Sequence, residues 1–213
     1  MSEKISLKEA EHKVFSAATQ DGLLDVFIGC VALQFAIAPL LSPSLGDFWS
    51  SAVFVPFWVL VAGGLWLFRR RVVKPRLGGV RFGAARKARL IRFNVVMLVV
   101  NVIAMAIGTW ISLNSEVMSG RVTSAFFGLT CLVLFSTAAV FLHYPRLYVY
   151  GLLLGLSPLV GEWLFENWGA SHHGFPITFG LTAGIMIATG LLVLMRLLRN
   201  NPVPGDGPVV GRG

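Results

Sequence analysis

Charge is scarce in this chain, and acid especially so. Of its 213 residues 13% are Asp, Glu, Lys or Arg, and only 10 are acidic. A soluble domain of this size carries about 25% charged residues. The shortfall excludes a water-exposed globule: 55% of the residues are hydrophobic, and the mean hydropathy is +0.74. Cysteine is almost missing. Cys30 and Cys131 each sit inside an apolar run and form no Cys-x-x-Cys pair, so both read as small buried hydrophobes rather than disulfide or zinc ligands. There is no internal repeat, no loop long enough for a second domain and no His-Glu-x-x-His helix motif. The glycine-rich stretch GGVRFG, residues 78–83, lacks the Gly-Lys-Ser/Thr ending of a phosphate-binding loop.

What the chain does have is six long apolar runs, near 23–41, 49–68, 91–113, 122–142, 147–165 and 177–198. A bilayer core needs about 20 helical residues to cross it. The runs lack the alternating polarity of barrel strands, and helices satisfy their own backbone groups where water is absent. The fold class expected is therefore all-α: a polytopic bundle of six transmembrane helices.

The basic residues set its orientation. Under this threading 17 of the 18 Lys and Arg fall on one side, Arg121 being the exception. The positive-inside rule then puts both termini in the cytoplasm, with the protein in the cell inner membrane. The domain reading is a cytoplasmic segment over 1–22 with amphipathic character, a six-helix domain over 23–199 with a basic cytoplasmic loop at 69–92, and a disordered Pro- and Gly-rich tail over 200–213. No short apolar core with a small-residue cleavage site precedes the first run, so that run is expected to act as an uncleaved anchor.

Four groups of residues are candidates for function. Loop residues Arg69, Arg70, Arg71, Lys74, Arg86, Lys87 and Arg89 suit anionic lipid headgroups, each cation adding about 1 kcal/mol of attraction; the net charge of +8 is spent there and not on nucleic acid. Asp21 and Asp25, four apart, share a face at the mouth of the first run, and Asp25 needs a cation such as Arg69, Arg70 or Arg92 at membrane depth. Gln34, Asn94 and Asn101, with Asp25 and Glu162, are candidates for a polar pathway or for helix contacts. Glu162, Glu166, His172 and His173 gather near the outer end of the fifth run, in a donor set suited to a divalent metal, although adjacent histidines seldom chelate one ion together. Gly151/Gly155 and Gly180/Gly184 form two GxxxG patterns that favour close helix packing in the last two runs or against a second subunit.

Composition and motifs point first to a small transporter- or channel-like protein or an accessory membrane subunit. The alternative is a membrane-embedded regulatory or interaction protein whose basic loop binds anionic lipid or a partner. The third reading is an intramembrane metal-dependent enzyme. No residue is assigned a catalytic role and no cofactor is implied; the expected partners are the lipid bilayer and either a second copy or another membrane subunit.

Overall fold

A computed structural model describes residues 21–77, 84–113 and 120–201. Those residues are helical almost throughout and contain no strand. The helices are α1 (Leu23–Ala52), α2 (Phe54–Phe68), the short α3 (Lys74–Leu77), α4 (Ala84–Leu113), α5 (Gly120–Leu142), α6 (Arg146–Trp168) and α7 (Phe175–Asn200), with a π-helical turn at Arg69–Val73 and a 3₁₀ turn at Ser171–Gly174. Six segments are long and apolar enough to cross a membrane: Leu23–Gly46, Phe48–Val73, Ile91–Trp110, Gly120–Leu142, Arg146–Trp168 and Ser171–Asn200. They suggest a multi-pass membrane protein.

The connections are tighter than composition implies. A loop is expected at Ser42–Phe48; instead α1 runs on through Pro39 and Pro43 and breaks at Gly46. Its φ of 75° and ψ of 164° lie in a region essentially open to glycine alone. The Ser44 hydroxyl donates to Leu41 O at 3.0 Å, three residues back on the same helix. The basic segment expected as a loop over 69–92 is also largely helical: the chain continues from α2 through the π turn into α3, and α4 begins at Ala84. Apolar residues Val72 and Val73 let the turn stay against the bundle, and Val73 is buried beside Leu23 and Leu194. The expectations for 1–20, for 78–83 and for the tail from 202 lie outside the described residues.

Packing divides the spans into two classes. Helices α1 and α7 make the most extensive contact, followed by α5 with α6 and α6 with α7. Small residues permit this. Ala32, Ala36 and Ala183 are buried in the shared core, and a side chain on Gly190 would meet the Gly22 carbonyl at 2.7 Å. Midway, Phe35 of α1, Phe127 of α5 and Phe179 of α7 meet ring to ring at 5.4–6.2 Å. By contrast α2 packs chiefly on α1, and α4 chiefly on α5. No residue of the third span, Ile91–Trp110, is buried. Between α1, α2 and α7 runs an open apolar groove of about 390 Å³, lined by Leu23, Val26, Cys30, Leu60, Leu65 and Leu194.

Candidate functional site

The four-helix core carries polar clusters at its two ends. At the basic end Asp25 of α1 has 0% exposure. Its Oδ2 accepts from Arg146 Nη1 at 2.9 Å, and its Oδ1 accepts from the Tyr144 hydroxyl. Arg146 also donates to Tyr144 Oη at 3.2 Å and lies over that ring. Burial pushes the Tyr144 phenol well above its usual range, and the adjacent Asp25 carboxylate adds to this, so Tyr144 stays protonated and donates. Tyr150, one turn along α6, turns a buried hydroxyl toward Asp25 and Thr189 without closing a hydrogen bond.

This differs from the expected arrangement. Arg69, Arg70 and Arg92 were the anticipated partners of Asp25; the structure supplies Arg146 from the other side of the core. The reason lies in α6. Arg146 is its first residue, with Pro145 as N-cap, where a cation opposes the helix dipole. A carboxylate alongside offsets that repulsion, and Asp25 lies there because α1 packs on the core in register with α6 and α7. A lone cation opening an apolar helix was the signal that could have identified the pair.

Asp21 takes Arg69 instead. Its Oδ1 accepts from the Leu23 N–H at 3.1 Å, closing the turn that starts α1, and its Oδ2 lies 3.3 Å from Arg69 Nε. Burial raises the Asp21 carboxyl above its ordinary value of 3.8 despite the opposing pull of Arg69. The folded state therefore holds this proton more tightly than the unfolded chain. The stability this group contributes is fully present below the ordinary aspartate value and is lost as pH rises through the folded value. Asp21→Asn keeps an acceptor for Leu23 and removes the titration. Unfolding measured across pH 4–8 in detergent should show a flatter pH dependence in the variant and no loss at pH 7, since the half-exposed Arg69 contributes little to the pair.

At the opposite end the anticipated metal donors separate into two pairs. Glu162, nearly buried, lies with Oε2 2.9 Å from His173 Nδ1, where an Nδ1–H donates to the carboxylate. Phe165 stacks on His173 with ring centroids 4.4 Å apart. Glu166 faces the other way and receives a forked bond from Arg121, with Nε 2.8 Å from each carboxylate oxygen. His172 joins neither pair. Both histidines have left-handed backbone, with φ of 52° and 54°, which points consecutive side chains apart. Among the described residues no three His, Cys, Asp or Glu side chains converge on a point a metal could occupy.

The remaining candidates fall as follows. Gln34 Oε1 accepts from Trp58 Nε1 at 2.7 Å and ties α2 to α1. Asn94 and Asn101 are exposed on α4, away from the core, and Asn101 donates to Met97 O of its own helix at 2.8 Å; neither lines an interior path. Arg70 rests over Trp66 at 5.3 Å and Arg71 is exposed. The side chains of Lys74, Arg86, Lys87 and Arg89 lie outside the described residues. Arg76, assigned no role in the sequence, donates to Leu198 O at 3.0 Å and satisfies a carbonyl in the last turn of α7.

Between the two clusters the seam of α6 and α7 holds one buried polar contact, Ser157 Oγ to Thr182 Oγ1 at 3.0 Å. On the α6 side, Ser157 is seven residues past Tyr150, about 10 Å at 1.5 Å per residue. Leu154, Ala183 and Met186 fill that interval and are buried. Compared with protein families, curated proteins and solved structures, the chain matches none, and its function has to be argued from this geometry.

Proposed function

We propose that the chain is an accessory subunit of the cell inner membrane, which acts through helix contacts within the bilayer. Its termini and basic connector lie on the cytoplasmic side, and Arg70, Arg71 and the cations of the connector meet anionic headgroups there. The observation that carries the reading is the contrast among the spans. Helices α1, α5, α6 and α7 form a closed core whose buried carboxylates are taken up by Arg146, Tyr144 and His173. Helices α2 and α4 each rest on one main neighbour and present long uncovered faces, including Val59 and Leu60 on α2. Those faces leave room for a neighbouring membrane protein to pack against α2 and α4.

The test is site-specific photocrosslinking in native membranes. A photoreactive residue at Val59 or Leu60 should give a discrete adduct with a different membrane protein, while one at Leu181, an exposed position on α7, should give lipid adducts alone. Lipid adducts at all three positions would overturn the proposal.

A second reading, a proton path, is favoured by one feature. Tyr150, Ser157, Thr182 and Thr178 lie buried between Asp25 and Glu162, and hydroxyls in series can pass protons. The apolar interval after Tyr150 weighs against it. Proteoliposomes under a pH gradient would decide: flux that depends on both Asp25 and Glu162 establishes the path, and sealed vesicles dismiss it.

A further inference from the structure

The third span carries three uncharged polar side chains, Asn94, Asn101 and Thr109. All three are exposed, on one stripe that also includes Leu98 and Met105. At roughly 3.6 residues per turn these five positions occupy about 80° of the helix circumference. The adjoining face of α4 is the one that α5 covers, through Phe93 against Phe141 at 5.7 Å and Gly108 near Phe126. The stripe therefore borders the bundle without joining it.

Lipid accounts for an exposed Leu98 or Met105 but not for these amides. Asn101 lies at the centre of the Ile91–Trp110 span. One of its N–H groups is used on Met97 O, and Thr109 likewise donates to Met105 O at 2.9 Å. The second N–H and the carbonyl oxygen of Asn101 have no partner among the described residues, nor does the Asn94 amide. In hydrocarbon an unmet amide costs several kcal/mol, and polar side chains within spans normally face protein.

We infer that α4 pairs with α4 of a second copy through the stripe Asn94–Leu98–Asn101–Met105–Thr109. A primary amide carries both donor and acceptor, so it is its own complement. Copies inserted in the same direction run parallel, and a closed dimer of them has its twofold axis along the membrane normal, which sets each residue on that axis against itself. The seven-residue step from Asn94 to Asn101 keeps both amides on one seam, as at the repeating positions of a parallel helix pair. Leu98 packs between the two amides, and Met105 between Asn101 and Thr109. This goes beyond the accessory-subunit reading, since self-pairing through α4 is independent of what α2 meets.

The experiment combines crosslinking and counting. In a chain with Cys30 and Cys131 replaced by Ala, Leu98→Cys and Asn101→Cys should each give a dimer-mass disulfide product in native membranes, and Leu181→Cys should not. In vesicles of phosphatidylethanolamine and phosphatidylglycerol, photobleaching of the labelled full-length chain should show two-step spots, and Asn94→Leu with Asn101→Leu should weaken the dimer by roughly tenfold. The same double variant should retain its thermal unfolding midpoint as a monomer, because neither side chain supports the core. One-step spots for the native chain, a dimer indifferent to the double variant, or an α4 crosslink only to a different protein would each overturn the inference. A lipid-only result at Val59 and Leu60 would leave it standing.

Discussion

Arg146→Ala should destabilise the fold more than removal of its own partner does. The substitution leaves the Asp25 carboxylate at 0% exposure with Tyr144 as its remaining donor, and breaking a buried pair from that side costs about 3–5 kcal/mol. Asp25→Asn is the milder change, about 1–3 kcal/mol. The amide still accepts from Tyr144, and Arg146, with a side chain 34% exposed, can extend toward water and headgroups. The double variant should be more stable than Arg146→Ala alone, because it removes the uncompensated charge. Equilibrium unfolding in mixed micelles gives all three values. An Arg146→Ala loss no greater than that of Asp25→Asn would mean that the carboxylate reaches water, and that this cluster does not lock α1 to α6.

That asymmetry also shows what a sequence can and cannot convey here. The six long apolar helices were legible because hydrophobicity sustained over about 20 residues is read directly from the sequence. Their ends were less so: α1 breaks at Gly46 alone, with a positive φ, and a turn made by one residue leaves almost no polar stretch to see. Pairing was least legible. Asp25 reads as needing a cation, but four-residue spacing and leaflet position cannot choose between Arg69 and Arg146. The choice follows from the order of helices around the core, which brings α6 to Asp25 and α2 to Asp21. The Glu and His donors at the opposite end failed for a different reason. Glu162 and Glu166 share a helix side, yet Glu162 points inward to His173 while Glu166 points out to Arg121, a difference set by where α5 begins.

The glycine patterns make the same point with the sharper test. Gly151/Gly155 and Gly180/Gly184 are identical as motifs, but their surroundings are not. Gly155 faces Gly128 of α5 so closely that a Cβ on Gly128 would lie 2.2 Å from the Gly155 carbonyl oxygen, and one on Gly155 would lie 2.9 Å from the Gly128 oxygen. These are backbone atoms, which cannot swing aside, so α5 and α6 would have to part. A Cβ on Gly184 meets nothing within 4 Å, and one on Gly180 meets only Ala36 at 3.9 Å. Gly128→Ala should therefore cost at least about 3 kcal/mol, at the upper end of overpacking penalties. Gly184→Ala should lie within about 0.5 kcal/mol of the parent or slightly above it, since alanine restricts the unfolded chain. Parallel thermal unfolding of the two variants measures the contrast. Equal losses would show that the α5–α6 contact has slack in it, and the close approach of these helices would no longer explain how the core stays shut around its buried charges.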